Sequence, residues 1–407
     1  WAFETLMDEA ALELGSDPIE LRLKNNLGIG DIFYGQGPAV TATIRSCGTP
    51  ELLALGAAKV DWANRGHFNH TPFPDRPWIK RGLGLARGFH TSGCGSEKPN
   101  RFIIDFSGAY IKMNEDGMAQ LNNAACDMGS GVLTAHAAMI AEAIGLKYGD
   151  VLVNAGDTDS APFDGPTHAS RGLYGSGQAA VKAAYEVREI LVQWAARIFA
   201  CGNEDIIIEN SLVWPNKQPE RAIPVAKVVQ TGHFSGWGLA MSATSIRPNN
   251  CPPHFVAIFI VADVDTRTGN VTIVRAISGV DIGTVINLNN VEGQMVGGMH
   301  MGLGFALMED TLVDEATGRL LNAGFSTYKM LTFMDMPEVE KIIADTYEPT
   351  GPFGAKAIGE GVTNPVAAAV GNAVYHACGV RIRDLPLTPE KILAGLACQA
   401  AEKEAKA

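Results

Sequence analysis

The chain has no stretch of eighteen apolar residues, and "WAFETLMDEAALELG" at its start has neither a basic leader region nor a small-residue cleavage site. Neither a transmembrane helix nor a secretory leader is therefore expected. Positive charge is also short: 32 Lys and Arg against 44 Asp and Glu give a formal net charge of -12. Phosphate and anionic lipid are held mainly by Lys and Arg, so nucleic acid is not expected as a partner. Seven cysteines, an odd number spread widely over 407 residues, outline neither a disulfide framework nor a C-x-x-C metal site. They read as reduced thiols of a cytoplasmic protein, and no iron–sulfur cluster ligated by this chain alone is expected.

The common catalytic signatures are missing as well. There is no P-loop, no G-x-S-x-G nucleophile elbow and no H-E-x-x-H, and "GLGLARG" (82 to 88) is one residue longer than the dinucleotide fingerprint. The nine histidines are scattered, and each reads more readily as a satisfied core or surface residue than as a ligand. No metal site built from protein side chains is expected.

What is present fits a globular chain, with 46% hydrophobic and 19% charged residues. Its length exceeds one ordinary core and predicts two lobes. Apolar residues at helical spacing predict a helix over 2–14, stopped by Gly15, and a second at "SDPIELRLKNN" with Asp17 as cap and Pro18 in the first turn. The chain opens on Trp1 inside the first helical pattern, as a processed or truncated piece of something longer would. "GDIFYGQGPAV" (30 to 40) is a turn-rich connector, and 49–66 returns to helical spacing. The segment 81–95 begins as a buried strand; "AYIKMNEDGMAQLNNA" is a hairpin turning at "NEDG"; "GDVLVNAGDTD" is a further strand. Two long strands meet at "DTRTGN", and helices follow at "NPVAAAVGNAVYHACG" and at the C-terminus. The class is α+β (mixed α/β), with more than one sheet.

At three places glycines run straight into a helix: "DMGSGVLTAH" (127 to 136), "GSGQAAVKAA" (175 to 184) and "GEGVTNPVAAAVGNA" (359 to 373). Helix N-termini expose unpaired N–H groups and a partial positive charge, so each can cradle a phosphate or carbonyl, or be a plain tight turn. In the third stretch, "GPFGAKAIGEGVTNP", four glycines and two prolines surround just two charged residues, Lys356 and Glu360. A lone carboxylate on so bare a loop reads either as a helix cap or as a base held close to a ligand.

Taken in order, these loops resemble the molybdopterin-binding subunit of the xanthine oxidase, or molybdenum hydroxylase, family. "AFETLMDEAALELGSDPIELRLKNN" resembles the helix pair that ends the family's first molybdenum domain, and 80–393 resembles its second. "GPFGAKAIGEG" and "CGVRIRDLPLTPEKIL" are the most specific parts. The resemblance implies a metal held by the dithiolene of a pterin rather than by protein, with Glu360 as the catalytic base that frees a water-derived oxygen nucleophile. It also implies hydride transfer from an electron-poor carbon to a sulfido ligand of the molybdenum.

Other positions carry over from the same resemblance. Met128, Gly129, Ser130 and Gly131 match a pterin-contacting "MGQG"-like turn, with Ser130 in place of the usual Gln. In "THASRGLYGSGQA", His168 and Ala169 match positions nearest the metal, and Ser170 and Gln178 positions on the pterin side. Asn290 falls where a pterin-binding Gln is common, and Gly359 flanks the base. Phe89, His90, Thr91 and Ser92 match a segment lining the substrate cavity. Arg171 is read in two ways, as an anion-binding residue of that cavity or as a salt-bridge partner of Asp157, Asp159 or Asp164. Lys356 is read as a structural partner of its loop.

The resemblance divides the chain into the end of a first molybdopterin-binding domain (1–30), a connector and helix (31–79), two lobes of a second domain (80–150 and 151–393) and a charged tail (394–407). It implies molybdopterin, in the cytosine dinucleotide form, and partner subunits carrying 2Fe–2S clusters and FAD. A further chain would carry the N-terminal molybdopterin-binding half. The expected reaction is oxidation of an aromatic N-heterocycle; an aldehyde oxidoreductase, a carbon monoxide dehydrogenase, a hydroxybenzoyl-CoA reductase and a scaffold subunit are the alternatives.

Overall fold

The structure is a computed structural model that describes residues 1–407 apart from 35, 36, 38, 39, 67–69, 99–104 and 407. His67 and parts of the connector at 30–40 lie outside the described residues.

The chain starts with α1 (Ala2–Glu13) and α2 (Pro18–Lys24). Asp17 caps α2 by accepting from the backbone N–H of Ile19 at 2.7 Å, and Arg22 reaches back to Glu4 at 2.8 Å to lock the helices together. Two short strands, β1 (Ile32–Phe33) and β2 (Ala42–Thr43), precede α3 (Thr49–Lys59). Then come β3 (Ile79–Thr91), β4 (Ser107–Met113), β5 (Ala119–Asn123), α4 (Val132–Ile144) and β6 (Val151–Ala155). A wide turn at 172–176 leads into α5 (Gly177–Phe199), followed by β7 (Ile206–Glu209), β8 (Leu212–Pro215), β9 (Ile223–Pro224) and α6 (Val225–Phe234). The last third holds β10 (Met241–Ile246), β11 (Pro253–Asp265), β12 (Val271–Asp281), α7 (Leu288–Leu307), β13 (Val339–Ile343), α8 (Val366–Cys378) and α9 (Pro389–Lys406).

Two four-stranded sheets carry the fold, in the orders β13-β12-β11-β3 and β10-β4-β5-β6. The hairpins expected at "NEDG" and "DTRTGN" are the antiparallel pairs β4–β5 and β11–β12. β11 reads as an unbroken apolar run because both of its faces are covered, by α8 and by α3. Close approach is what lets α8 lie on β3: a Cβ at Gly82 or Gly84 would come within 2.0 Å of the Ala373 or Ala369 carbonyl oxygen. The alanines of α8 serve the same contact from the other side. On the opposite face Gly56 of α3 admits the Phe259 ring, whose full burial is worth about 1.5–3 kcal/mol. The second sheet is backed by α4 and α5, whose apolar residues, with Trp194 among them, form a separate core.

The sheets do not follow the expected division at residue 150. β3 pairs along its whole length with β11, while β4 pairs with β10 and β5 with β6, so each sheet draws strands from both proposed lobes. Long-range pairing of this kind leaves no local mark in the sequence. Among the described residues no helix is long and apolar enough to cross a membrane.

Candidate active site

A cavity of about 480 Å³ is lined by the start of α4, the segment from Thr167 to Leu173, the first turns of α7 and the loop from Lys356 to Thr363. Met128, Ser130, Gly131, His168, Ser170, Asn290, Gly359 and Glu360 line its walls, whereas Gly129, Ala169, Gln178, Arg171 and the segment from Phe89 to Ser92 do not, so half of the residues expected to gather do so.

Glu360 is more than half exposed and is held by one hydroxyl. Ser170 Oγ donates to Glu360 Oε2 at 2.9 Å and accepts from the Glu360 backbone N–H at 3.1 Å. That hydroxyl is delivered by unusual backbone: Ala169 and Ser170 both have left-handed φ, 48° and 51°, a conformation costing on the order of 1–3 kcal/mol for such residues. Gly359 clears the approach, because a Cβ there would sit 3.2 Å from the same Ser170 oxygen. Gly361 does so more strictly, since its Cβ would fall 2.2 Å from His254 Nε2.

Beneath the loop, Lys356 is fully buried and pairs with Asp281 at 2.8 Å. Asp281 is also fully buried and accepts from the Gly48 N–H and the Thr346 hydroxyl. This pair confirms the structural reading of Lys356. Ser92, expected in the substrate cavity, is instead buried under the loop and accepts from the Ala357 N–H at 3.0 Å. Thr91 is likewise buried, and Phe89 turns away to meet the Phe33 ring edge-on at 5.2 Å. Alternation along β3 puts Phe89 and Thr91 on the face opposite His90, since neighbouring residues face opposite sides of a strand, and Ser92 lies just past the strand end. His90 is the member of that segment that faces Glu360, its Nε2 lying 3.6 Å from Oε2.

Arg171 is not an anion-binding residue of the cavity. Its guanidinium is 1% exposed and bonded to Asp105 at 2.5 Å and Asp164 at 2.6 Å, with further bonds to the Gly165 and Phe106 carbonyls. Of its three expected partners only Asp164 is used. Asp105 was missed, being 66 positions away with no motif to tie the two. The aspartates raise the Arg171 pKa against the opposing effect of burial. Ala169 is buried at the same corner, and Gln178 lines a separate groove with Lys182, Glu186 and Thr350.

The opposite wall is made by the turn before α4 and the first turns of α4 and α7. Gly131 is the N-cap of α4 in left-handed conformation, φ 74°, and α4 has no side-chain cap, so its first N–H groups are free to meet an acceptor. Asn290 is folded over this turn, its amide donating to the Gly131 carbonyl and the Thr134 hydroxyl at 3.2 Å each. A Cβ on Gly131 would strike that amide at 2.1 Å. Gln294, one turn further along α7, lines the cavity too and was not foreseen. His136 anchors the same region: Nε2 donates to the Gly172 carbonyl and Nδ1 accepts from Asn123. Full burial lowers its pKa, which favours the neutral ring. An uncapped helix start and a glycine turn with Asn290 over it, facing a Glu, form a cradle that fits a large polar cofactor with carbonyl and phosphate acceptors. Among the described residues no group of three His, Cys, Asp or Glu is placed to hold a metal.

The family model for the molybdopterin cofactor-binding domain matches residues 55–337. The chain belongs to this family. It is 33% identical over 407 residues to a xanthine dehydrogenase molybdenum-binding subunit of Escherichia coli O157:H7, covering 97% of this chain and 52% of that one. An aldehyde oxidoreductase molybdenum-binding subunit of the same organism is 29% identical, with 96% and 50% covered. Among solved structures, quinoline 2-oxidoreductase from Pseudomonas putida 86 superposes with a TM-score of 0.84 at 26% identity, covering 97% of this chain and 51% of that one. The chain thus spans about half the length of the relatives it matches, and its mixed α/β fold is that of the molybdenum hydroxylase large subunits.

Proposed function

We propose that this chain forms the C-terminal part of a molybdenum-dependent hydroxylase subunit that oxidises an aromatic N-heterocycle, with Glu360 as the base. The observation that carries the reading is the placement of Glu360 on the cavity wall, fixed through Oε2 and its own N–H by Ser170 while Oε1 has no partner among the described residues. When bound, the molybdenum–pterin group supplies a two-electron acceptor and a Lewis-acidic centre. The residues present would hold it by the Met128–Gly131 turn, the start of α4 and the face of α7 bearing Asn290 and Gln294. Glu360 then takes a proton from the oxygen nucleophile, while Ser170 keeps the carboxylate from turning away.

The names of the relatives, a xanthine dehydrogenase and a quinoline oxidoreductase, favour a heterocyclic substrate, and His168 on the cavity wall offers a handle for a ring nitrogen or oxo group. The similarity to an aldehyde oxidoreductase supports a second reading, in which the substrate is an aldehyde. The cofactor is proposed in its cytosine dinucleotide form. The working enzyme is proposed as a cytoplasmic assembly in which partner subunits bring 2Fe–2S clusters and FAD and another stretch of chain brings the remaining half of the molybdopterin site. Glu360→Gln in that assembly keeps shape and removes the base. Turnover at saturating substrate is expected to fall by roughly 10²–10⁴-fold with molybdenum content unchanged. A variant within tenfold of wild type would sink the assignment, and turnover of purine-like rings against aldehydes decides the substrate class.

A further inference from the structure

A base that has accepted a proton must lose it before the next turnover. The inference below rests on the reading of Glu360 just given and concerns where that proton goes.

His90 and His254 lie directly opposite each other on β3 and β11, with ring centroids 5.8 Å apart. His90 Nδ1 is 3.1 Å from the backbone oxygen of Thr91. A carbonyl oxygen only accepts, so Nδ1 carries the ring proton and Nε2 keeps its lone pair. It is Nε2 that faces Glu360, 3.6 Å from Oε2, and a shift of about half an ångström brings the two into hydrogen-bond range. Ser170 presents a neutral hydroxyl, Lys356 is paired with Asp281, and His254 is fully buried with neither ring nitrogen partnered among the described residues. Burial holds the pKa of His254 well below its ordinary 6.5, so it adds no charge.

We propose that His90 is a proton relay for Glu360. A half-turn of the carboxyl group about its Cγ–Cδ bond brings the protonated oxygen to the position that faces His90; there the O–H bond breaks, an Nε2–H bond forms, and the carboxylate is restored. The imidazolium then gives up a proton to water at the quarter of its side chain that is exposed. His90 thus acts through Glu360 and not on the substrate, and the Nδ1–H bond to Thr91 is what points the accepting nitrogen the right way.

The test is His90→Asn in the assembled enzyme. Asparagine keeps a donor for the Thr91 carbonyl and has no lone pair at the Nε2 position. Turnover at saturating substrate is expected to fall roughly tenfold, less than for loss of a direct general base, with KM within about twofold and molybdenum content unchanged. Exogenous imidazole is expected to restore much of the rate to His90→Gly. Nitrogen-15 spectra of histidine-labelled enzyme, which need no turnover, are expected to show His90 with its proton on Nδ1. Wild-type turnover in His90→Asn, a raised KM with unchanged kcat, or a proton on Nε2 would each overturn the relay. An active Glu360→Gln would instead overturn the reading on which it rests, so the two failures are distinguishable.

Discussion

On one side of the cavity, the loop from Lys356 to Glu360 is tied down by Asp281 of β12, by the Ile282 carbonyl, by Ser92 after β3 and by Ser170. On the other, the turn from Met128 to Gly131 is held by Asp127 of its own loop and by the Asn290 amide, and Met128 is 71% exposed. On the proposed function the two walls have different tasks. Proton transfer needs atoms placed to within a fraction of an ångström, which buried charge pairs and shared hydroxyls provide. A large cofactor that brings its own hydrogen-bonding groups needs clearance and free N–H donors, which glycines and an uncapped helix provide.

If that contrast is right, damage to the tied wall should unfold the protein and damage to the open wall should only loosen its ligand. The largest effect is expected from Lys356→Met, which leaves Asp281 buried without its cation. Removing one partner of a buried pair costs about 3–5 kcal/mol, and calorimetry on the purified chain reads it as a large drop in Tm. A variant as stable as wild type would show that the wall does not depend on the pair. Gly131→Ala should cost less stability, on the order of 1–3 kcal/mol from backbone strain, but should lower pterin and molybdenum content, because its Cβ would displace Asn290. Retained cofactor with lost stability would reverse the assignment of the two walls.

The smallest effect expected is on acid tolerance. His136 and His254 have folded-state pKa values lowered by burial from an ordinary 6.5. The unfolded chain therefore binds more protons once the pH drops below about 6.5, and the stability present above that point is lost as the pH falls. A Tm scan should slope downward there, and His254→Phe should flatten it. An unchanged slope would mean that other groups set the acid limit.

Legibility in the sequence followed the range of the interactions. The hairpins, the Asp17 cap and Glu360 on its glycine loop were readable because each is a local pattern. The helix α7 was not assigned, because five glycines within Leu288–Leu307 lower helix propensity. Two of those glycines serve packing against the loop and start of α8: a Cβ at Gly298 or Gly302 would press on Val362 or Val366 at 2.7 and 2.4 Å. The partner of Arg171, the turning of Phe89 away from the cavity and the pairing of β3 with β11 all depend on residues far off in the chain. Periodicity and motif spacing carry no record of them.

The seryl clasp on Glu360 crosses a gap of 190 residues, from the segment that follows β6 to the loop that precedes α8. The acid group is thereby latched across the seam between the two sheets. Any loosening of that seam, by mild denaturant or by a poorly fitting partner, would free the side chain long before either core melts. On the proposed function, loss of turnover in the assembled enzyme should thus run ahead of loss of fold, making it an early gauge of whether the halves are properly seated.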